Sequence, residues 1–177
     1  MDSRLLYSGL VLLVACERVV ELGLSRRNAA RAIARGAVEH GRGHYPWMVV
    51  AHTLFLLACP LEVWWLGRPF DARLGIPMLA LVAAAMGLRY WAVTSLGERW
   101  NTRVIVQPGL VPVAAGPYRY LRHPNYLAVV VEILALPLVH SAWITAIAFS
   151  LTNVMILQTR IRVEDAALAG WTAQENA

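Results

Sequence analysis

Five apolar stretches, separated by short polar ones, set the pattern of this chain. They cover residues 5–24, 45–66, 76–96, 125–139 and 142–158. The first three are long enough to cross a hydrocarbon core, which takes about 20 helical residues. The last two are shorter and meet at His140-Ser141, so the pattern predicts a tight hairpin that crosses or enters part-way. None shows the period-2 alternation of a barrel strand, and an open sheet edge cannot face lipid. No repeat or low-complexity tract interrupts the series. The pattern therefore predicts an all-α polytopic membrane protein with five transmembrane helices, the last two a short hairpin. A single domain spans 1–177, with a three-helix membrane region over 1–96 and the polar chemistry in 97–177. The first stretch leads into an arginine-rich segment without a small-residue cleavage site, so it reads as a membrane helix and not as a signal peptide.

Composition agrees. Hydrophobic residues make up 58% of the chain and charged residues 15%, against about 25% charged in soluble domains. The net charge is +5, and all 16 basic residues are arginines. All but Arg18 and Arg89 lie outside the apolar stretches, which marks them as topology signals and not as a nucleic-acid patch. Arg26, Arg27, Arg31, Arg35 and Arg42 follow the first stretch. Arg99, Arg103, Arg119 and Arg122 follow the third, and the 159–177 tail holds Arg160 and Arg162. The opposite ends hold only Arg4, Arg68 and Arg73. This bias predicts an N-terminus outside and a C-terminus in the cytosol, in a bacterial inner membrane. Trp47 falls at an inner edge and Trp64, Trp65 and Trp143 at outer edges, where indole rings prefer to sit. Cys16 and Cys59 lie inside apolar stretches and read as small buried groups; neither has metal-ligand spacing, and no metal is expected.

The most concentrated chemistry is Gly116-Pro117-Tyr118-Arg119-Tyr120-Leu121-Arg122-His123-Pro124-Asn125-Tyr126. Gly116-Pro117 marks a turn. Pro124 suits the first position of a helix, where its missing N–H has no partner to lose. His123 is then the N-cap-like residue, with Asn125 and Tyr126 in the first turn. Free N–H groups at a helix start, with Arg122 beside them, predict an aromatic-lined site for an anionic group. An interfacial anchor of tyrosines and arginines is the plainer reading of the same residues.

This segment resembles the signature of the isoprenylcysteine carboxyl methyltransferases and related phospholipid methyltransferases. The stretch Arg160-Ile161-Arg162-Val163-Glu164-Asp165-Ala166-Ala167-Leu168 is similar to that family's closing pattern, with Glu164-Asp165 in place of its usual two glutamates. The likeness covers roughly the last 80 residues. The first half, with Ser25-Arg26-Arg27-Asn28, Gly41-Arg42-Gly43-His44-Tyr45-Pro46 and Gly97-Glu98-Arg99-Trp100-Asn101, looks like a bacterial subgroup found beside type III polyketide synthases. The resemblance implies an S-adenosyl-L-methionine site entered from the cytosol, lined by Tyr118, Arg122, His123, Pro124, Asn125 and Tyr126. It implies Arg162 and Glu164 as the catalytic pair beside a lipophilic small-molecule or lipidated acceptor. It also implies that the 97–177 region binds the cofactor and catalyses the reaction, with no nucleic-acid partner.

The acceptor class stays open. A carboxylate needs only an arginine to orient it, and Arg162 could do so bidentately. A phenolic lipid or alkylpyrone hydroxyl needs a base, for which Glu164 is the candidate. Glu164 could instead orient Arg162 or bind the cofactor ribose. Two other classes share features with this chain. Membrane sterol-type reductases carry a similar Arg-His-Pro-Asn-Tyr segment and bind NADPH, and a non-catalytic lipid-binding protein would leave the cytosolic face inert.

Several charges lie inside the apolar stretches. Glu17 and Glu21 share a helical face, with Arg18 between them in sequence. Such groups are functional candidates by default. Arg89 is expected to pair with Glu17 or Glu21 and lock two helices together. Glu132 could reach the cofactor cavity or bond a neighbouring helix. His52 and Glu62 read as satisfied structural groups.

Overall fold

A computed structural model describes residues 2–43, 45–106 and 113–175, with side chains of the last helix described to residue 167. His44 of the subgroup pattern lies outside the described residues, as does the side chain of Leu168. Five α-helices form: α1 (Ser3–Ala34), α2 (Tyr45–Trp65), α3 (Ala72–Leu96), α4 (Pro124–Leu138) and α5 (Trp143–Glu175). The apolar stretches of the sequence map onto these five. Three helices are long and apolar enough to cross a membrane, at Tyr45–Trp65, Ala72–Arg99 and Trp143–Ala167. The fold is that of a helical membrane protein.

Local chemistry explains where the helices start and stop. Asp2 caps α1 by accepting from Arg4 N (3.0 Å), and Asp71 caps α3 by accepting from Arg73 N (2.9 Å). The arginine-rich segment after residue 24, expected to be a loop, is helical as far as Ala34. Its run of arginines and alanines has high helix propensity and no breaker until Gly36, which takes a φ of +86° that glycine accepts without strain. The stretch after Gln158, read as a tail, is likewise helical: α5 continues without interruption to Glu175. The α4–α5 hairpin turns at Val139 to Ala142 with Ser141 at φ +56°, as the joint at His140-Ser141 predicts. A short antiparallel ribbon was not expected. Val38–His40 (β1) pairs with Val104–Val106 (β2), with Glu39 opposite Ile105. Arg103 reaches back to Glu39 at 3.3 Å.

The core lies between α1, α2, α3 and α4. Tyr7, Val11 and Val14 of α1 meet Phe55, Cys59 and Val63 of α2, Val82 of α3 and Ile133 and Leu136 of α4. Large apolar side chains cover the outside of the bundle, among them Leu12, Val20, Trp65, Ile144 and Met155. That pattern suits hydrocarbon as solvent. Cys59 is buried as expected, whereas Cys16 is exposed on α1.

The bundle has two chemically distinct ends. At one, Ser3 meets His140 (3.1 Å), Ser8 meets Trp64 (3.1 Å), and Glu62 gathers four partners. Glu62 accepts from Thr145 N and Thr145 Oγ1, each at 2.7 Å, from Ile144 N at 3.2 Å, and from Arg68 Nη2 at 2.7 Å. A carboxylate from α2 thus caps the start of α5, where free N–H groups and the helix dipole favour negative charge. At the other end, Arg31 and Arg35 pair with Glu98 (2.8 and 3.2 Å). There Asn28 donates to Trp100 O (2.9 Å), and Ser25 bonds Asn101 Oδ1 (2.8 Å).

Between the ends sits a buried ion network. Arg89 of α3 lies 3.4 Å from Glu21 of α1 and 3.0 Å from Glu132 of α4. Arg18 lies 2.8 Å from Glu21 and 3.9 Å from Glu132. The expected link between α1 and α3 therefore runs through Glu21, and Glu132 extends it to α4. Glu17 instead receives a hydrogen bond from the Tyr90 hydroxyl.

Two measurements test these contacts. Glu62→Ala should lower stability by about 3–5 kcal/mol, because it leaves Arg68 and the start of α5 without their partner; thermal unfolding in detergent reads this as a lowered Tm. Arg89→Leu should cost a similar amount. Adding Glu132→Leu should recover part of it, since the stranded carboxylate is then gone; a double variant no better than the single would contradict the pairing.

Candidate functional site

The site forms where the 116–126 segment meets α5. Gly116 is at φ +58°, and a Cβ there would collide with Ser95 Oγ of α3. Only glycine permits this close approach. The chain then makes a 3-10 turn over Gly116–Arg119 and enters α4 at Pro124, with His123 as N-cap and Pro124 at the first helical position. This is the arrangement read from the sequence.

Tyr126 is the hub. Its hydroxyl accepts from Arg160 Nε at 2.8 Å and donates to Glu164 Oε2. The Arg160 guanidinium lies 5.3 Å from the centre of the Tyr126 ring, a cation–π contact. His123 stacks on Tyr126 at 4.9 Å with planes 10° apart, and its Nδ1 lies 4.0 Å from Glu164 Oε2. Arg160 Nη1 reaches Met48 Sδ of α2 at 3.0 Å. Outside this knot, Arg122 pairs with Asp165 at 2.6 Å. Burial pushes the Tyr118 phenol up to about 12, helped by the negative charge of Glu164. Tyr118 therefore stays neutral at physiological pH and can donate a hydrogen bond.

The structure thus brings Tyr126, His123, Glu164 and Arg122 to one place, with Pro124 buried beneath them. Arg162 is different: it is exposed. Arg160, 7% exposed, faces inward instead. Helical spacing is the cause. Residues four apart share a face, so Arg160 and Glu164 align, whereas a residue two positions from either points to the other side. Asn153, Leu157, Arg160 and Glu164 form one stripe along α5. Reading residues 159–177 as a tail hid that stripe; extending the helical period past Gln158 would have singled out Arg160.

Beside the knot, between the helices, lies a cavity of about 130 Å³. Leu22, Val49, Leu56, Val129, Ile156 and Leu157 make most of its wall apolar. Its polar lining includes Asn125, Tyr126 and Arg160 at one part and Arg18, Glu21 and Arg89 at another. His52 and Asn153 also line it; His52 Nδ1 lies 2.9 Å from Met48 O, the structural bond expected of it. The oxygens Asn125 Oδ1 and Asn153 Oδ1 are buried without a hydrogen-bond partner among the described residues. Unpaired buried acceptors of this kind normally have a partner that the bare chain does not supply.

The chain is similar to known proteins over most of its length. It is 36% identical over 174 residues to a Bacillus subtilis (strain 168) protein described as "Uncharacterized protein YpbQ", covering 93% of this chain and 98% of that one. A Haemophilus influenzae protein, described as "Uncharacterized protein", is 28% identical over 153 residues, 86% of this chain and 88% of its own. The fold resembles the solved structure of the eukaryotic intramembrane Ras methyltransferase ICMT, with a TM-score of 0.56 and 20% identity. That match covers 77% of this chain and 49% of the other, so the chain spans about half the length of the eukaryotic protein. A model of the isoprenylcysteine carboxyl methyltransferase (ICMT) family matches residues 78–170, which hold both the Tyr126 segment and the Arg160–Glu164 stripe. With more than half of its residues matched by that model, this chain belongs to the ICMT family.

Proposed function

We propose that this chain is an S-adenosyl-L-methionine-dependent integral membrane O-methyltransferase acting on a lipophilic acceptor, either a carboxylate of the isoprenylcysteine type or a phenolic lipid or alkylpyrone hydroxyl. The observation that carries the reading is the knot of Tyr126, Arg160 and Glu164 beside a largely apolar cavity between the helices. Family membership supports methyl transfer, and the lipid-like exterior supports a lipid-soluble acceptor.

The residues present fit the methyl donor. Asn125 Oδ1 is a buried acceptor with no partner among the described residues, and an adenosine amino or hydroxyl group would satisfy it. The stacked rings of His123 and Tyr126 offer an aromatic surface beside it. Tyr118, Arg122, His123, Pro124, Asn125 and Tyr126 are the residues proposed to hold the donor. When bound, the donor supplies a methyl group already activated on a sulfonium. The protein's task is then alignment, which can be worth about 7–11 kcal/mol. Tyr126 holds Arg160 and Glu164 in a fixed relation, so that a cation and a carboxylate face the same space. The acceptor-orienting role that the sequence pattern gives to Arg162 passes in this proposal to Arg160, with Glu164 beside it. All five helices are taken to be embedded, with the arginine-rich end of the bundle toward the cytosol.

The test uses the full chain purified in detergent. Equilibrium dialysis should show saturable binding of methyl-labelled S-adenosyl-L-methionine and no competition by NADPH. Arg160→Ala and Tyr126→Phe should each weaken donor binding or methyl transfer roughly ten- to hundredfold, the worth of a charged hydrogen bond. Arg160→Ala should cost more than Arg162→Ala. Tight NADPH binding without donor binding would overturn the proposal in favour of a reductase.

A further inference from the structure

Part of the cavity lining comes from α1 and α3, away from the 116–126 segment in sequence: Arg18, Glu21 and Arg89. Both arginines approach the same carboxylate oxygen, Glu21 Oε2, at 2.8 Å from Arg18 Nη1 and 3.4 Å from Arg89 Nη1. The other oxygen, Glu21 Oε1, is buried and has no hydrogen-bond partner among the described residues. The same holds for Nε of Arg18, for Arg18 Nη1, whose approach to Glu21 is an ion pair without hydrogen-bond geometry, and for Nε of Arg89, a residue only 5% exposed. Each such buried polar atom left unpaired bears the full cost of losing water. One acceptor and three donors left open on residues that line the cavity point to a guest that both donates and accepts. A hydroxyl does both, whereas a carboxylate only accepts.

The charge balance points the same way. Glu17, Glu21 and Glu132 surround Arg18 and Arg89 in one connected network, leaving one negative charge in excess. A guest arriving as an anion adds to that excess, whereas a guest that gives up a proton to the cluster cancels it.

We propose that Glu21 accepts the proton of a weakly acidic hydroxyl on the lipid acceptor, and that Arg18 and Arg89 hold the oxygen left behind. The acceptor's O–H bond breaks, the proton binds Glu21 Oε1, and the bonding pair stays on the acceptor oxygen as an anion. Charge is conserved, since the cluster gives up its excess negative charge as the acceptor gains one. Glu132 is a positioning residue that holds Arg89 (3.0 Å) and Arg18 (3.9 Å). The remaining titratable groups near Glu21 are Glu17, bonded by Tyr90 of α3, and His52 of α2 on the shared cavity. The fate of the anion rests on the methyltransferase reading, but the proton step does not. It selects a hydroxyl acceptor over a carboxylate.

A long-chain alkyl nitrophenol tests this without turnover, because its phenolate absorbs visible light and its phenol does not. Bound to the full chain in detergent, it should show roughly tenfold more phenolate than in empty micelles at the same pH, a shift of about one pKa unit. Glu21→Gln should return the signal to the micelle level. A long-chain alcohol should displace the probe more readily than a fatty acid of equal length. A wild-type protein that leaves the probe neutral, or that prefers the fatty acid, overturns the inference whether or not Glu21→Gln folds. Dialysis with labelled donor on the same sample separates the two readings. A phenolate signal without donor binding keeps the proton acceptor and rejects the methyltransferase.

Discussion

A guanidinium buried among apolar helices must be paired, because stripping water from a lone ion costs several kcal/mol even after relaxation. Arg89 meets that demand with carboxylates from two other helices, Glu21 of α1 and Glu132 of α4. The remaining architecture follows from it. Apolar side chains slide over one another at little cost, particularly where lipid is as apolar as the core. An ion network does not slide, since a shift of one turn strands a charge. The network therefore fixes the depth of α1, α3 and α4 against each other. Since α4 begins at Pro124, it also fixes where Tyr126 stands.

From that fixed point the site assembles across large sequence separations. Tyr126 meets Arg160 and Glu164 through its hydroxyl and Arg160 also through its ring face, and His123 lies flat against that ring. Met48 of α2 touches Arg160 from a further direction. The 123–126 segment and α2 thus converge on one face of α5. Arg160 can keep its charge in these half-dry surroundings because a carboxylate, a phenol oxygen and an aromatic face stand near it.

Much of this was legible in the sequence. Hydrophobic runs of bilayer length carry their own signal, so the helices could be placed to within a turn at most ends. The Gly-Pro and His-Pro steps also announced the turn and the start of α4. What failed was the reading of polar stretches. The segment after residue 24 read as a loop and the segment after residue 158 as a tail because their hydropathy drops, yet their alanines and arginines are good helix formers. The pairing of Arg89 with α1 could be guessed from apolar surroundings, but Glu132 could not be placed, because nothing in a single chain says which helices are neighbours. The β1–β2 ribbon of three-residue strands was also out of reach, since strands that short carry no periodicity.

The unbroken course of α5 has a consequence for how deep the chemistry lies. Its start is clamped by Glu62 at Thr145, and Glu164 projects near its far end. Nineteen residues at a rise of about 1.5 Å each separate these two positions by roughly 28 Å, close to the hydrocarbon thickness of about 30 Å. The helix is in effect a ruler, holding the Tyr126 knot about one hydrocarbon thickness from the Glu62 cap. In a thicker or thinner bilayer this rod tilts as a whole. The polar centre and the cap then change angle together, and neither can drift toward the mid-plane without the other.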